Sequence, residues 1–315
     1  MPRPGPPWDL VALGGGSGGL AAAQRAAAHG ARCAVADPQP LGGTCVSAGC
    51  VPKKLLWLAA GVARAVAEAP DYGLALPEGE VRLDWARLKA AREAYVARLN
   101  ALYARRLEAA GIRRFPLRGR LAGPGAVELE DGTVLQARHV VLATGSRPVV
   151  PELPGAELGL SSDGFFALEA LPERVAVVGA GYIAAELASL LLGLGRRVTL
   201  VLGGRRLLRA FDPLLGETLA EILEAEGADL LGGLEVAWVE RREAEGLVFH
   251  GADGRCSGGH GLLLWAVGRR PNSGGLGLEE AGVRLDGRGA VVTDRLLETD
   301  VPGVYAVGDV TGAPP

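Results

Sequence analysis

The 315-residue chain holds 48 glycines, is 49 % hydrophobic and 22 % charged, and carries a formal net charge of −3. Glycine at about twice its usual ~7 % share, with no G-x-y period and with so much apolar sequence, excludes collagen and disorder; the length suits two or three domains that need no disulfide staples. The charge offers no bulk attraction for nucleic acid or an anionic membrane, which leaves small ligands as the expected partners.

Residues 1–7, MPRPGPP, read as a disordered lead with neither a signal core nor a transit-peptide pattern, so a cytoplasmic protein is expected, with mitochondria as the alternative. No uninterrupted apolar run approaches the ~18–20 residues of a membrane span. From Trp8 to Asp37 a strand, a glycine cluster, an alanine-rich helix and a second strand spell a βαβ unit. A helical stretch from Thr44 to about Ala67 and a Pro/Gly/Glu-rich loop follow. Asp84 then caps a long helix ending before Gly111, with Leu88, Tyr95, Leu99, Leu102 and Leu107 to one side. Ala126 to Ala137 reads as a hairpin around Asp131-Gly132, and HVVLATG as a strand closing at Gly145. Pro148, Pro151 and Pro154 mark a crossing. Glu173 to Leu202 repeats the first βαβ layout, followed by a helix near Pro213 to Gly227 and a hairpin near Glu243 to Gly246. From Asn272 the chain returns to loop and strand. The expected fold is α/β: two Rossmann-like three-layer nucleotide-binding domains, one (151–271) inserted into the other (8–150 and 272–315).

The motifs carry the chemistry. Gly14, Gly16 and Gly19 form G-x-G-x-x-G at the first strand-to-helix turn, and Asp37 ends the next strand. Tight helix–strand packing can demand such glycines by itself, but strand, helix and acid together suit a dinucleotide, with pyrophosphate on the helix N-terminus and ribose on the carboxylate. The second repeat has Gly179, Gly181 and Ala184, with Leu202 where the acid would be, followed by Arg205, Arg206 and Arg209. A 2′-phosphate would attract those arginines, which favours NADP over NAD; a solvated basic loop is the alternative. Between them lies LGGTCVSAGCVPKK. Cys45 and Cys50 can form a disulfide if the helix is locally distorted, and the helix dipole with Lys53 and Lys54 would favour a thiolate. A structural bridge or half a metal site is the bland reading, but no second cysteine pair or nearby histidine completes a metal shell. Cys33 and Cys256 read as bystanders.

These blocks, with SDGFFALEALPERVAVVGAGYIAAE, LLRAFD, LLLWAVGRRPN and VYAVGD, resemble the glutathione reductase branch of the FAD-dependent pyridine nucleotide–disulfide oxidoreductases from Trp8 to Thr311. The resemblance implies electron flow from NADPH to FAD, to a cysteine pair, to glutathione disulfide. It makes the first repeat the FAD site and the second the NADPH site. Cys50 would face the flavin and Cys45 exchange with substrate. Lys53 would sit by the flavin in a buried pair with Glu186, Tyr182 would cover the flavin until nicotinamide enters, and Asp309 would bond the ribityl chain. Gly268 and Arg269 would line the NADPH cleft. The same carry-over adds Ser17, Gly18, Thr44, Thr144 and Gly145 to the FAD contacts, and Ala180 and Ile183 to those of NADPH. Ser17, Gln24 and Tyr103 fall where the substrate would bind, with Tyr103 equally suited to helix packing.

Departures from the resemblance bear on the expectations. Gly203 stands where an arginine would meet the 2′-phosphate, Asp37 replaces a glutamate, and Gln24 stands where many relatives carry arginine. None of His29, His139, His250 and His260 has the spacing of the family's H-P-x-x-x-E acid–base histidine, and the C-terminal dimerisation domain that carries it is expected to be absent from this chain. The expectation is a monomer in place of the family's homodimer, able to accept electrons from NADPH but impaired in reducing glutathione disulfide. A thioredoxin reductase-like enzyme or a catalytically silent FAD-binding fragment are the alternatives; dihydrolipoamide dehydrogenase and trypanothione reductase are disfavoured by the Cys50-to-Lys54 run, by Leu202 and by the residues near Ala21 and Gln24.

Overall fold

A computed structural model describes residues 6–75 and 82–312. Most of the expected lead, the middle of the Pro/Gly/Glu loop (76–81) and the last three residues lie outside the described residues. The helices are α1 (Ser17–Ala28), α2 (Gly43–Ser47), α3 (Cys50–Glu68), α4 (Trp85–Ala109), α5 (Ser162–Phe166), α6 (Tyr182–Gly193) and α7 (Pro213–Ala225). The chain divides into two compact units, the first from 1–51, 94–147 and 269–315, the second from 52–93 and 148–268.

In the first unit, strand Trp8–Leu13 lies between Cys33–Ala36 and Val134–Leu142, both parallel to it, with Arg113–Phe115 outside the former. The nine-residue strand Val134–Leu142 has two jobs. Its first half pairs antiparallel with Ala126–Leu129, giving the expected hairpin at Asp131-Gly132, and its second half pairs parallel with the returning strand Val304–Ala306. Alternate residues fill opposite layers: Val11, Leu13, Val140 and Leu142 pack on one face, while Ala12 and Val141 pack with Leu20 and Ala23 of α1 on the other. A parallel sheet buried on both sides therefore reads as an unbroken apolar run.

The second unit repeats the design. Strands Asp229–Gly232, Arg197–Leu202, Arg174–Val178, Leu262–Trp265 and Leu160–Ser161 form a parallel sheet in that order. Helix α6 buries Ala184, Leu187, Ala188, Leu190 and Leu191, each leucine contributing about 1.5–3 kcal/mol. An antiparallel sheet of Val236–Arg242, Gly246–Gly251 and Cys256–His260 packs Val239, Leu247 and Phe249 into a core with Trp265, whose indole N–H donates to Ala156 O at 2.8 Å. Asp212 caps α7 through Leu214 N, and Asp84 caps α4 through Arg87 N, both at 2.9 Å.

Two features differ from the sequence reading. Residues 52–93 group with the second unit, where Trp85 Nε1 donates to Leu168 O (3.0 Å), Lys89 pairs with Glu169 (2.6 Å), and Arg64 donates to Ser189 O (3.2 Å) and Glu226 (2.6 Å). The helical run 43–72 is also long and apolar enough, by length and composition alone, to cross a membrane. Lys53 and Lys54 interrupt that run in the sequence, and Lys53 is ion-paired within the second unit.

Candidate functional site

Two of the three glycine-motif positions in each repeat are explained by packing. A Cβ on Gly14 would lie 2.2 Å from Ala143 O, and one on Gly19 would lie 2.0 Å from Gly14 O. In the second repeat Gly179, at φ +148°, would meet Ala266 O at 2.2 Å, and Ala184 is fully buried. The middle positions are different. Gly16 (φ −81°) and Gly181 (φ −89°) have extended backbone open to any residue; a Cβ on Gly16 reaches only Gly43 Cα at 3.8 Å, and one on Gly181 meets nothing within 4 Å. The fold does not require glycine there, whereas a pyrophosphate approaching the helix N-terminus does. Both turns therefore fit a dinucleotide.

The carboxylate of Asp37 accepts from Gly15 N and, at 2.8 Å, from Gln39 N, so it holds the first glycine turn. Ser17 is exposed and Gly18 packs against Val307 at the start of α1. Leu202 is buried, so that strand end offers core and no acceptor. The basic loop after it is tied to the second turn by Leu208 N donating to Ala180 O at 2.7 Å. Arg205 and Arg209 are exposed there; Arg206 donates to Arg209 O at 3.3 Å, and its buried Nε has no partner among the described residues. Ile183 is half-buried behind the exposed Tyr182, and Gly268, at φ +134°, accepts from Val149 N at 3.0 Å.

The cysteine segment shows the expected distortion. A helix ends at Ser47, Ala48 and Gly49 break it, and Cys50 opens α3. A Cβ on Gly49 would sit 2.8 Å from Thr44 O, so only glycine lets the chain pass the end of α2. Cys45 is half-buried in α2 and Cys50 is exposed at the start of α3. The segment is stitched to the first dinucleotide turn: Gly42 N donates to Gly15 O at 2.8 Å, and Gly43 lies so close to Gly16 that a Cβ would come within 2.7 Å of its Cα. Asn100 of α4, a residue the sequence reading passed over, secures the same loop by donating to Leu41 O at 2.6 Å. Its signal was a polar residue among the leucines of that helix.

Lys53 Nζ lies 2.6 Å from Glu186 Oε1, joining α3 to α6 as expected. The pair is half-exposed, at 29 % and 42 %, in contrast to the burial expected. Lys54 lies over the Trp57 ring at 4.0 Å. Tyr103 packs against the core cluster around Leu107 and Ile112, and Gln24 is half-buried on α1.

Thr144 and Gly145 are laced to Asn272: Thr144 Oγ1 donates to Asn272 O (2.7 Å), Asn272 Nδ2 to Thr144 O (3.0 Å) and Asn272 N to Gly145 O (2.9 Å). Arg269, expected with Gly268 along the NADPH cleft, belongs to the first unit, where it bonds Ser146 beside Asp309. Sequence reasoning gave no role to Ser146 or Asn272, although Ser146 directly follows HVVLATG and Asn272 ends LLLWAVGRRPN.

The histidines have other engagements. His250 bonds Glu240 at 3.1 Å and stacks on Trp238; His139 packs by Tyr305; His29 ends α1. His260, 1 % exposed, bonds Ser257 at 3.1 Å, and burial pushes its pKa down to about 4. Among the described residues no cluster could hold a metal ion.

A family profile described as pyridine nucleotide-disulphide oxidoreductase matches residues 8–315. A glutathione reductase of Yarrowia lipolytica is 39 % identical over 327 residues, covering 98 % of this chain and 68 % of its own length. One from Burkholderia cepacia is 42 % identical over 308 residues, covering 96 % and 67 %. The chain thus spans about two thirds of the length of these relatives. Among solved structures, the Cu(II) complex of the HOCl-induced flavoprotein disulfide reductase RclA from Escherichia coli superposes with a TM-score of 0.86 at 25 % identity, over 98 % of this chain and 67 % of that one.

Proposed function

We propose, since this chain belongs to the pyridine nucleotide–disulphide oxidoreductases, that the disulfide it reduces is glutathione disulfide and that Cys45 and Cys50 perform the exchange. The family's cofactors are FAD and NADPH, and disulfide reduction is its reaction. The observation that carries the finer reading is the stitching of Gly42 and Gly43 to Gly15 and Gly16, which ties the helix break bearing both thiols to a turn that fits a dinucleotide.

The chemistry that bound FAD would supply is acceptance of a hydride from NADPH and two-electron reduction of a cysteine disulfide. The first unit would hold it through the Gly14–Gly19 turn, Asp37 and Asp309; the second would hold NADPH through the Gly179–Ala184 turn and Arg205, Arg206 and Arg209. The Cys45 thiolate attacks one sulfur of glutathione disulfide, forming a mixed disulfide and releasing one glutathione thiolate, which takes a proton. Cys50 then attacks the Cys45 sulfur, releasing the second glutathione and closing a Cys45–Cys50 disulfide. The glycine-enabled break lets Cys50 approach Cys45, which a continuous helix would oppose. Lys53, fixed by Glu186, holds an ammonium one turn along α3 from Cys50.

NADPH consumption by the purified chain, compared across glutathione disulfide, cystine, lipoamide and a thioredoxin, tests the reading. Glutathione disulfide should give the highest kcat/KM of the four. A clear preference for another disulfide would overturn the substrate, and cysteine reduction by NADPH with no turnover on any of them would leave the electron-input half alone.

A further inference from the structure

Where the first unit receives its final segment, one buried hydroxyl joins two charged side chains. Ser146 is 9 % exposed. Arg269 grips it twice, Nε donating to Ser146 Oγ at 2.7 Å and Nη2 to the Ser146 carbonyl at 2.8 Å. Ser146 Oγ in turn lies 2.6 Å from Asp309 Oδ2. The proton inventory fixes the direction of these bonds. A guanidinium can only donate, so it occupies a lone pair of the serine oxygen, and the single hydroxyl proton goes to the carboxylate. The direct Arg269–Asp309 approach is 3.9 Å, beyond hydrogen-bond length, so the positive charge reaches the acid through the serine.

We infer that Ser146 is a positioning residue for the flavin, acting through Asp309: it saturates Oδ2 from the protein side and turns Oδ1, on a side chain 37 % exposed, toward a ligand hydroxyl. The inference rests on the proposed flavin role of the first unit. A carboxylate on a short side chain has two freely exchanging oxygens unless one is tied down, and a donor held by a doubly bonded arginine ties it down at little entropic cost on ligand binding. Arg269, three residues before the Asn272 that secures Thr144 and Gly145, keeps the serine in place from the returning segment. The same contacts account for an arginine that the sequence placed in the other unit.

The test uses the full 315-residue chain stripped of flavin and titrated with FAD, or with ADP, which reaches the Gly14–Gly19 turn but has no flavin end. Ser146→Ala should weaken FAD about tenfold and leave ADP unchanged, Ser146→Thr should stay within twofold of the parent, and Ser146→Ala should add nothing once Asp309→Asn is present. Equal loss of FAD and ADP would show a structural serine and overturn the inference, as would unchanged FAD affinity in Ser146→Ala or multiplying effects in the double variant. Should Ser146→Ala not fold, Arg269→Lys, which keeps the charge but loses the two-point grip, reads the same relay: FAD weakened and ADP unchanged supports it, FAD unchanged overturns it. If Asp309→Asn leaves FAD affinity unchanged while FAD still binds, the inference falls and the flavin reading of the unit stands; if FAD does not bind the parent, both fall.

Discussion

Replacing Gly181 with alanine separates what the fold requires from what a nucleotide requires. As the N-cap of α6, alanine is poorer than glycine by roughly 0.5–1 kcal/mol. Against this, alanine loses less freedom on folding, which returns ~0.4–1 kcal/mol at a backbone conformation it can adopt. The methyl meets no heavy atom within 4 Å, so no clash is added. The balance stays within about 1 kcal/mol, a Tm change of no more than about 4 °C for a domain of this size. Gly179→Ala behaves oppositely: φ +148° costs about 1–3 kcal/mol in strain, and the methyl would stand 2.2 Å from the Ala266 carbonyl, so the loss exceeds roughly 3 kcal/mol. The added methyl of Gly181→Ala occupies the approach to the α6 N-terminus, and NADPH should bind at least about tenfold more weakly, ~1.4 kcal/mol. Fluorescence titration with NADPH and thermal melting of both variants measure this. NADPH affinity within twofold of the parent, or a melting loss matching that of Gly179→Ala, would refute the assignment of the open position to a ligand.

Cys45→Ser should leave the Cys50 thiolate beside oxidised flavin and give a long-wavelength charge-transfer absorption at pH 8, whereas Cys50→Ser should not; the reverse pattern would exchange the two roles. Arg209→Ala should weaken NADPH about tenfold with little effect on NADH, the usual size of one charge-assisted bond at an exposed site, and the difference should shrink in high salt; equal effects on both nucleotides would remove the loop from phosphate recognition. His260 has a folded pKa of about 4 against about 6.5 unfolded, so the unfolded chain binds the proton first as pH falls. Stability from this site is complete above pH 6.5 and falls by about 3 kcal/mol on the way to pH 4; denaturant melts should show His260→Gln losing less than the parent across that window.

The sequence by itself determined the two βαβ units, their turns and the cysteine pair, because each is local: strand, turn and helix occupy about thirty contiguous residues, and their steric needs are written into Gly14, Gly19, Gly179 and Ala184. The Lys53–Glu186 pair was legible only through resemblance, since nothing in a 133-residue separation announces a 2.6 Å contact. Tertiary structure decided the rest. Spacing could not say which motif glycines serve packing and which leave room for a ligand, because that depends on the Ala143 and Ala266 carbonyls, contributed by other strands. Residues 52–93 follow the second unit because Trp85, Lys89 and Arg64 find their partners there. Arg269 groups with the first unit for the same reason: it bonds Ser146, contributed by a segment more than a hundred residues earlier, a contact that position along the chain does not announce.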